Sequence, residues 1–484
     1  MRRDGIVATV PPDPLEPGGL REFGELLRRG DVTAASATGA YLARIEILDK
    51  RLGAFEHVAG ESALAAARAL DRLLAAGTDL GPLMGVPIAI KDNIAVDGMP
   101  TTVGSNLDLT DLVGPEGRFV KMLKRAGCVI LGKTRLAELS FGRGGVNPQR
   151  GTPWNPWDAD VHRIPEGSSS GSAVATAAGL CAFAIGTDTG GSIRAPAAHC
   201  GLFGLRPTTG LWPTDGVFAV SPTLDTVGPL TRSAADAALI FAALTGRPVP
   251  KARAPRGLRL GKPVNHFFDD LEPVVEACVS AALAALREAG ADIVEIEVPE
   301  AAEASGVVMA TSAAESANPS TAFSPLVPAE LLAGLGRDRF LAMRGALGPD
   351  VAERTAAGLE VTADTYIRLP RRHRDLCRIA RERMQGFDGW VTPTISVVAP
   401  LVADVADVEG GRWYAKIMAR NTKPVGLLGL CASSTPVQGF GSTLPVGLQL
   451  LCPGDQDAAA LSIALTFEDL LGQPPRPDLA GFLG

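Results

Sequence analysis

The chain has 484 residues, 46% hydrophobic and 20% charged, a globular composition that excludes a disordered polymer. Its net charge of −7 argues against a nucleic-acid partner. Seven cysteines, at positions 128, 181, 200, 278, 377, 431 and 452, form no CxxC pair, which excludes a zinc pattern and points to buried thiols in a reducing, cytoplasmic compartment.

Length alone would favour about three domains, but large α/β domains break that expectation. The opening MRRDGIVATVPPDPLEPGG lacks the apolar core of a secretory signal. Its four prolines make residues 1–19 an extended arm, leaving 20–484 as one domain. Helices are expected over Leu20–Gly30, Thr33–Leu48 and Ser62–Ala76, the last with Ser62 as N-cap and Gly77 as its stop. Leu83–Ile90 reads as a buried strand that delivers Lys91 at its end. A helix follows over Phe119–Ala126, then a strand over Cys128–Leu131 closed by Gly132. Phe141–Trp157, rich in Gly, Pro and Asn, is a loop.

The stretch from Glu166 to Gly201 differs in kind. Two clusters, GSSSGS and TDTGGS, bracket small and apolar residues, with a helix expected over Ala173–Leu180 and a short strand over Cys181–Ile185. Gly/Ser-rich stretches are more often linkers, but a linker would not carry an apolar segment between two glycine clusters. Glycine lets backbone N–H groups face a ligand, and consecutive outward N–H groups form an anion nest. A helix and strand folding back would bring the two serine loops together. The apolar run Val174–Gly186 is too short to span a bilayer, so no membrane role is expected.

Beyond the second cluster, Ala234–Thr245 reads as a helix and the basic, proline-bearing 246–257 as the best internal boundary. A strand at Leu258–Leu260, a helix over Pro273–Ala289 and a strand at Ile293–Val298 form a β-α-β order that favours parallel pairing. Ala301–Gly358 is largely helical, Trp390–Ile395 and Pro445–Leu451 are strands, and Asp457–Leu471 is the closing helix. The fold class is α/β with a mixed sheet.

A serine hydroxyl needs a base to become a nucleophile, and the attacked carbonyl needs donors for its oxyanion. The five histidines (57, 162, 199, 266 and 373) sit in no motif that places one as that base. Lys91 follows the apolar run VPIAI, whose walls would disfavour an ammonium. On the residues alone, a solvated or ion-paired lysine is the simpler reading.

Three pieces in order, GVPIAIKDN at Gly85–Asn93, EGSSSGSA from Glu166 and GTDTGGSIRAPA from Gly186, are similar to the amidase signature hydrolases, and the likeness runs from about Thr33 to near the C-terminus. The resemblance implies one large twisted sheet covered by helices on both sides, with a signature core over about 83–232. It implies a Ser–Ser–Lys triad: Lys91 as base, Ser168 as a bridge set by a cis peptide, and Ser192 as nucleophile. Backbone N–H groups at Thr189, Gly190, Gly191 and Ser192 would form the oxyanion hole, with Ser169, Asp188 and Arg194 in support. The implied reaction is hydrolysis of an amide C–N bond through an acyl-enzyme, with no metal or organic cofactor.

Glu166 and Ser170 stand where that family has glycine, and Arg135 where it often has asparagine. Gly167–Gly171 also fits G-x-S-x-G, which would make Ser169 the nucleophile of an α/β-hydrolase esterase, but Pro165 precedes it and no HGGG motif is present. A third reading is the glutaminase subunit of a tRNA-dependent amidotransferase. Pocket walls are expected from Ser140–Gln149, with Ser140, Phe141 and Gly142, from Trp212–Phe218, with both aromatics, and from within Val307–Phe340. With few charges besides Arg143 and Asp215 in the first two segments, such a pocket would suit apolar or aryl amides, anilides or carbamates, in a monomer or homodimer.

Overall fold

The computed structural model describes residues 9–16, 18–308, 326–406 and 408–483. Eleven strands form one mixed sheet: β1 Phe55–Val58, β2 Pro87–Lys91, β3 Val129–Thr134, β4 Phe183–Asp188, β5 Phe203–Arg206, β6 Thr226–Thr231, β7 Arg259–Pro263, β8 Asp292–Ile296, β9 Gly389–Pro393, β10 Leu430–Pro436 and β11 Gly447–Pro453. Their order is β1-β3-β2-β4-β6-β5-β10-β11-β9-β7-β8. β2 runs parallel to both β3 and β4, and β7 runs parallel to β8 and β9. The expected parallel β7–β8 pair is therefore present, and the connection over 246–257 does not end the sheet. Every residue of β2 and β4 is buried, as expected of parallel strands covered on both faces.

Local signals explain many helix ends. Thr33 caps the helix Ala34–Leu52 through a reciprocal box with Ser36. Ser233 caps Ala234–Thr245, and Gly246 ends it in the left-handed conformation. Gly19–Arg29, Arg118–Arg125, Pro273–Glu288 and Asp457–Leu471 also fall where the pattern places them. Of the 301–358 stretch, the described parts are largely helical; residues 309–325 lie outside them. No helix among the described residues is long and apolar enough to cross a membrane.

Several boundaries differ from expectation. The third helix starts at Gly60, with Ala59 and not Ser62 at its N-cap. Residues 83–85 form a turn, and β2 begins only at Pro87. The helix in the serine-rich stretch begins at Ser170, and its strand is Phe183–Asp188, not 181–185. β1, β5, β6 and β10 escaped the sequence reading. β6 carries Gly228 and Pro229, which read as breakers, and β1 spans only four residues. Residues 9–16 are not a free arm: Leu15 is buried, Asp13 forms an ion pair with the buried Arg232, and Tyr41 donates to Asp13 at 3.0 Å. Residues 1–8 and 17 lie outside the described residues.

Gly132 does not close β3, which passes through it to Thr134. A Cβ at Gly132 would sit 2.1 Å from the His57 carbonyl oxygen, so the close approach of β1 to β3 requires glycine there. Gly132→Ala should force those strands apart and cost about 1–3 kcal/mol, read as a lowered midpoint in thermal or chemical denaturation.

Candidate active site

β2 and β4 are parallel neighbours, with Ile90 beside Ile185, so Lys91 and Thr187 emerge together at their carboxyl ends. Ligand clefts in α/β sheets form at such ends. The chain leaving the loop before helix Ser170–Ala177 returns through β4, which sets both serine clusters beside Lys91. The Ser169 N–H donates to the Ser192 carbonyl at 3.2 Å, joining the two loops directly.

Lys91 is fully buried. Its Nζ lies 2.7 Å from Ser168 Oγ and 2.7 Å from Thr187 Oγ1. Asn93 Nδ2 donates to the same Thr187 hydroxyl and to Ser140 Oγ, both at 3.1 Å. Among the described residues the lysine thus touches hydroxyls and no carboxylate. Burial pushes it down to about 7, against the opposing pull of Asp188 and Asp225. Lys133 on the adjacent strand shows the alternative arrangement, with Asp92 Oδ1 2.9 Å from its ammonium. The Gly167–Ser168 peptide is cis, and Ser168 is buried facing the cleft.

The second loop is held from beneath by Asp188. Its carboxylate accepts from Gly191 N–H at 2.8 Å, from Ile193 N–H at 3.3 Å, from Arg194 Nε and Nη2 at 3.0 Å and from Arg206 Nη1 at 3.0 Å. Burial works against this charge, but Arg194 and Arg206 hold it well below the usual carboxylate range. Arg194 is itself enclosed, donating also to Gln449 and the Thr422 carbonyl. It supports the loop and does not reach the cleft.

One correction concerns the expected oxyanion donors. The Gly191 N–H is committed to Asp188, whereas those of Thr189, Gly190 and Ser192 find no acceptor among the described residues. Gly191 itself has φ +132, and a Cβ there would meet Thr422 Oγ1 at 2.2 Å. Thr189 is fixed by a hydrogen bond from its hydroxyl to Asp225, whose carboxylate also accepts from the N–H groups of Val220 and Ser221.

Ser168, Ser192 and the loop 189–192 line one cleft with Ser140, Phe141 and Gly142. The expected wall at Trp212–Phe218 is elsewhere. Trp212 is buried in the core with its ring 5.4 Å from Phe119. Phe218 is buried in a second apolar cluster, and its N–H donates to the Asn93 carbonyl. Asp215 pairs with Arg118. Val220 takes the place of those aromatics, and Val327 comes from the expected segment Val307–Phe340. The wall is also more charged than expected: Arg143 is joined by Glu166, Arg354 and Lys423. The last two lie far along the chain in segments with no motif, so no sequence signal marked them. Asn93 and Thr187, in contrast, stood inside the quoted motifs.

Ser169 is fully buried, exchanging hydrogen bonds with the Thr187 backbone at 3.3 Å. It ties the helix to β4, faces no cleft and is no candidate nucleophile. Arg135 lies 3.5 Å from Glu56. His199 is buried, bonded to the Val397 carbonyl at 3.0 Å and pushed down to about 4 by burial.

Removing the central carboxylate should expose how the loop depends on it. Asp188→Asn leaves Arg194 and Arg206 buried without a counter-charge, and should lower the unfolding free energy by about 3–5 kcal/mol. Denaturant titration of the variant measures this; an unchanged midpoint would contradict the assigned role.

Residues 36–461 match the family model described as Amidase. The chain is 37% identical over 458 residues to a 2-amino-5-chloromuconic acid deaminase of Comamonas testosteroni, covering 94% of this chain and 96% of the relative. It is 35% identical over 474 residues to a component of the glutamyl-tRNA(Gln) amidotransferase of Moorella thermoacetica, covering 92% and 95%. Among solved structures, the native peptide amidase of Stenotrophomonas maltophilia superposes with a TM-score of 0.76 at 28% identity, covering 97% of this chain and 100% of that one. With the sheet, the serine loops and the buried lysine in place, the chain belongs to the amidase signature family.

Proposed function

We propose that this amidase-family C–N hydrolase works by acyl transfer through Ser192, with Ser168 as proton bridge and Lys91 as base. The observation that carries the reading is the 2.7 Å contact between Lys91 Nζ and Ser168 Oγ, made by a fully buried lysine with no carboxylate in contact. Neutral Lys91 takes the proton of Ser168 as Ser168 takes that of Ser192, whose Oγ then bonds to the carbonyl carbon. The oxyanion faces the uncommitted N–H groups of Thr189, Gly190 and Ser192. As the C–N bond breaks, Ser168 returns a proton to the leaving nitrogen. Water repeats the cycle on the acyl-enzyme and releases the acid.

The substrate we propose is a small amide, with an aryl or apolar acyl group or a carbamate set against Phe141, Val220 and Val327. The charged groups of the same cleft favour an added polar substituent over a purely apolar molecule. A second reading is a glutaminase working within an amidotransferase complex, favoured by the 35% identity to a component of such an enzyme. The purified chain separates the two. Hydrolysis of aryl amides, anilides or carbamates without any partner protein is expected; activity restricted to glutamine, or arising only with added partners, would favour the second.

Because the protonated lysine cannot accept a proton, kcat/KM should rise with pH through about 7 and level off above it. Lys91→Ala should lower kcat/KM at neutral pH by about 10²–10⁴-fold and remove that rising limb. Ser192→Ala should abolish turnover while leaving the circular dichroism spectrum and melting temperature near those of the parent. The base assignment fails if Lys91→Ala keeps the parent profile while His199→Ala abolishes turnover.

A further inference from the structure

Glu166 occupies a position where the resemblance leads one to expect glycine, and its backbone has φ +62. That region is natural for glycine and unfavourable for a residue with a Cβ, so an outlier kept beside a reactive centre points to a use for its side chain. Glu166 is only 7% exposed, yet it lines the cleft two residues before Ser168. The only hydrogen bond its carboxylate makes among the described residues is to Oε2, from the Gly167 N–H. Oε1 is left as an acceptor in the cleft. A ligand donor seated in the cleft can hydrogen-bond to that oxygen.

The surroundings restrict what that partner can be. Arg354 and Lys423 act on Glu166 from two other elements, and Arg143 lines the same cleft. Two cations beside the carboxylate, with Arg143 itself paired to Asp350, disfavour a further cation on the substrate. A neutral donor meets no such repulsion, and a hydrogen bond to an ionised acceptor is about twice as strong as one between neutral groups.

We infer that Glu166 determines specificity in the cleft: its Oε1 accepts a hydrogen bond from a neutral O–H or N–H group that the substrate carries beside the scissile carbonyl. This rests on the acyl-transfer reading above, because it takes the ligand to be seated at Ser192. The preferred substrates are then hydroxy- or amino-substituted amides, in place of plain aryl or alkyl ones. Titration adds a signature. The groups facing the carboxyl are Gly167 N–H, Arg354, Lys423 and the Cys200 thiol, which burial keeps protonated. Burial raises Glu166 to about 7, with the N–H group and the two cations opposing. The carboxylate is therefore present above about pH 7, and the preference for a donor strengthens as pH rises through that value.

Phenylboronic acids test this, since boron forms a tetrahedral adduct with a nucleophilic serine. The probes are the 2-, 3- and 4-hydroxyphenylboronic acids and their methyl ethers, which lose the donor and keep the acceptor oxygen. Dissociation constants are measured calorimetrically at pH 6 and pH 8. For at least one position the hydroxyl compound should bind about tenfold or more tightly than its ether at pH 8, the scale of a hydrogen bond to a charged acceptor, and by a smaller ratio at pH 6. In Glu166→Gly, whose backbone suits φ +62, the ratio should fall to near unity. In Glu166→Gln it should fall to a few-fold and lose its pH dependence, and Glu166→Asp should restore part of it. A ratio near unity in the parent at all three positions, or a ratio that survives in Glu166→Gly, overturns the inference. Ser192→Ala isolates the underlying reading: if it leaves boronate affinity unchanged, the seat at Ser192 is wrong, while the Glu166 comparison still reports separately on the donor.

Discussion

The serine-rich half of the sheet is arranged around a single buried carboxylate. Asp188 ends β4, is fully buried, and takes hydrogen bonds from two guanidiniums and two backbone N–H groups. An isolated carboxylate at that depth would cost several kcal/mol and would take up a proton. Here every lone pair is used, so the charge is stable and the backbone it holds is fixed. That fixation turns the loop 189–192 so that three N–H groups find no acceptor among the described residues. Arg194 carries the constraint further, to Gln449 on β11 and to the Thr422 carbonyl in the turn ahead of Pro424, which links the loop to parts of the chain more than two hundred residues away.

The same accounting separates two buried lysines on neighbouring strands. Lys133 has Asp92 at 2.9 Å, so its partner favours the charged form. Among the described residues Lys91 touches only hydroxyls, at 2.7 Å, and the negative charges acting on it are Asp225 and Asp188, the latter already shared between two arginines. Hydroxyls can accept from an ammonium or donate to an amine, so they favour neither form strongly and burial decides. A lysine is suited to such a task because its affinity for a proton shifts readily with its surroundings, whereas arginine stays charged.

The cleft wall is assembled from parts of the chain with different sources of rigidity. Its apolar side, Phe141, Val220 and Val327, grows from the second core cluster or its edge. Its charged side comes from helix Pro349–Ala356 and from the turn ahead of Pro424. Arg354 lies with its guanidinium carbon 4.1 Å from the Phe141 ring centroid and donates to the Phe141 carbonyl. One side chain thereby joins the two sides. Relatives of about 35% identity carry names for different reactions.

What the residues determined alone was local. Glycine-bracketed serines and an apolar run ending in lysine depend on neighbours within a few positions, and their physics is readable in order along the chain. Lys91, Ser168 and Ser192 could be named from their motifs by resemblance, and the closing helix from its periodicity. Tertiary structure decided the rest, because it depends on distance in space. Trp212 and Phe218 read as equally good wall residues, yet both are core, since burial is settled by what packs on the other side. Gly132 reads as a stop but serves as a point of close approach, because its partner His57 lies on a strand too short to recognise. Gly191 reads as a donor, and only the position of Asp188 shows its N–H already committed. Arg354 and Lys423 had no motif to mark them: a charge becomes part of a site only when the fold encloses it beside one, here against Glu166.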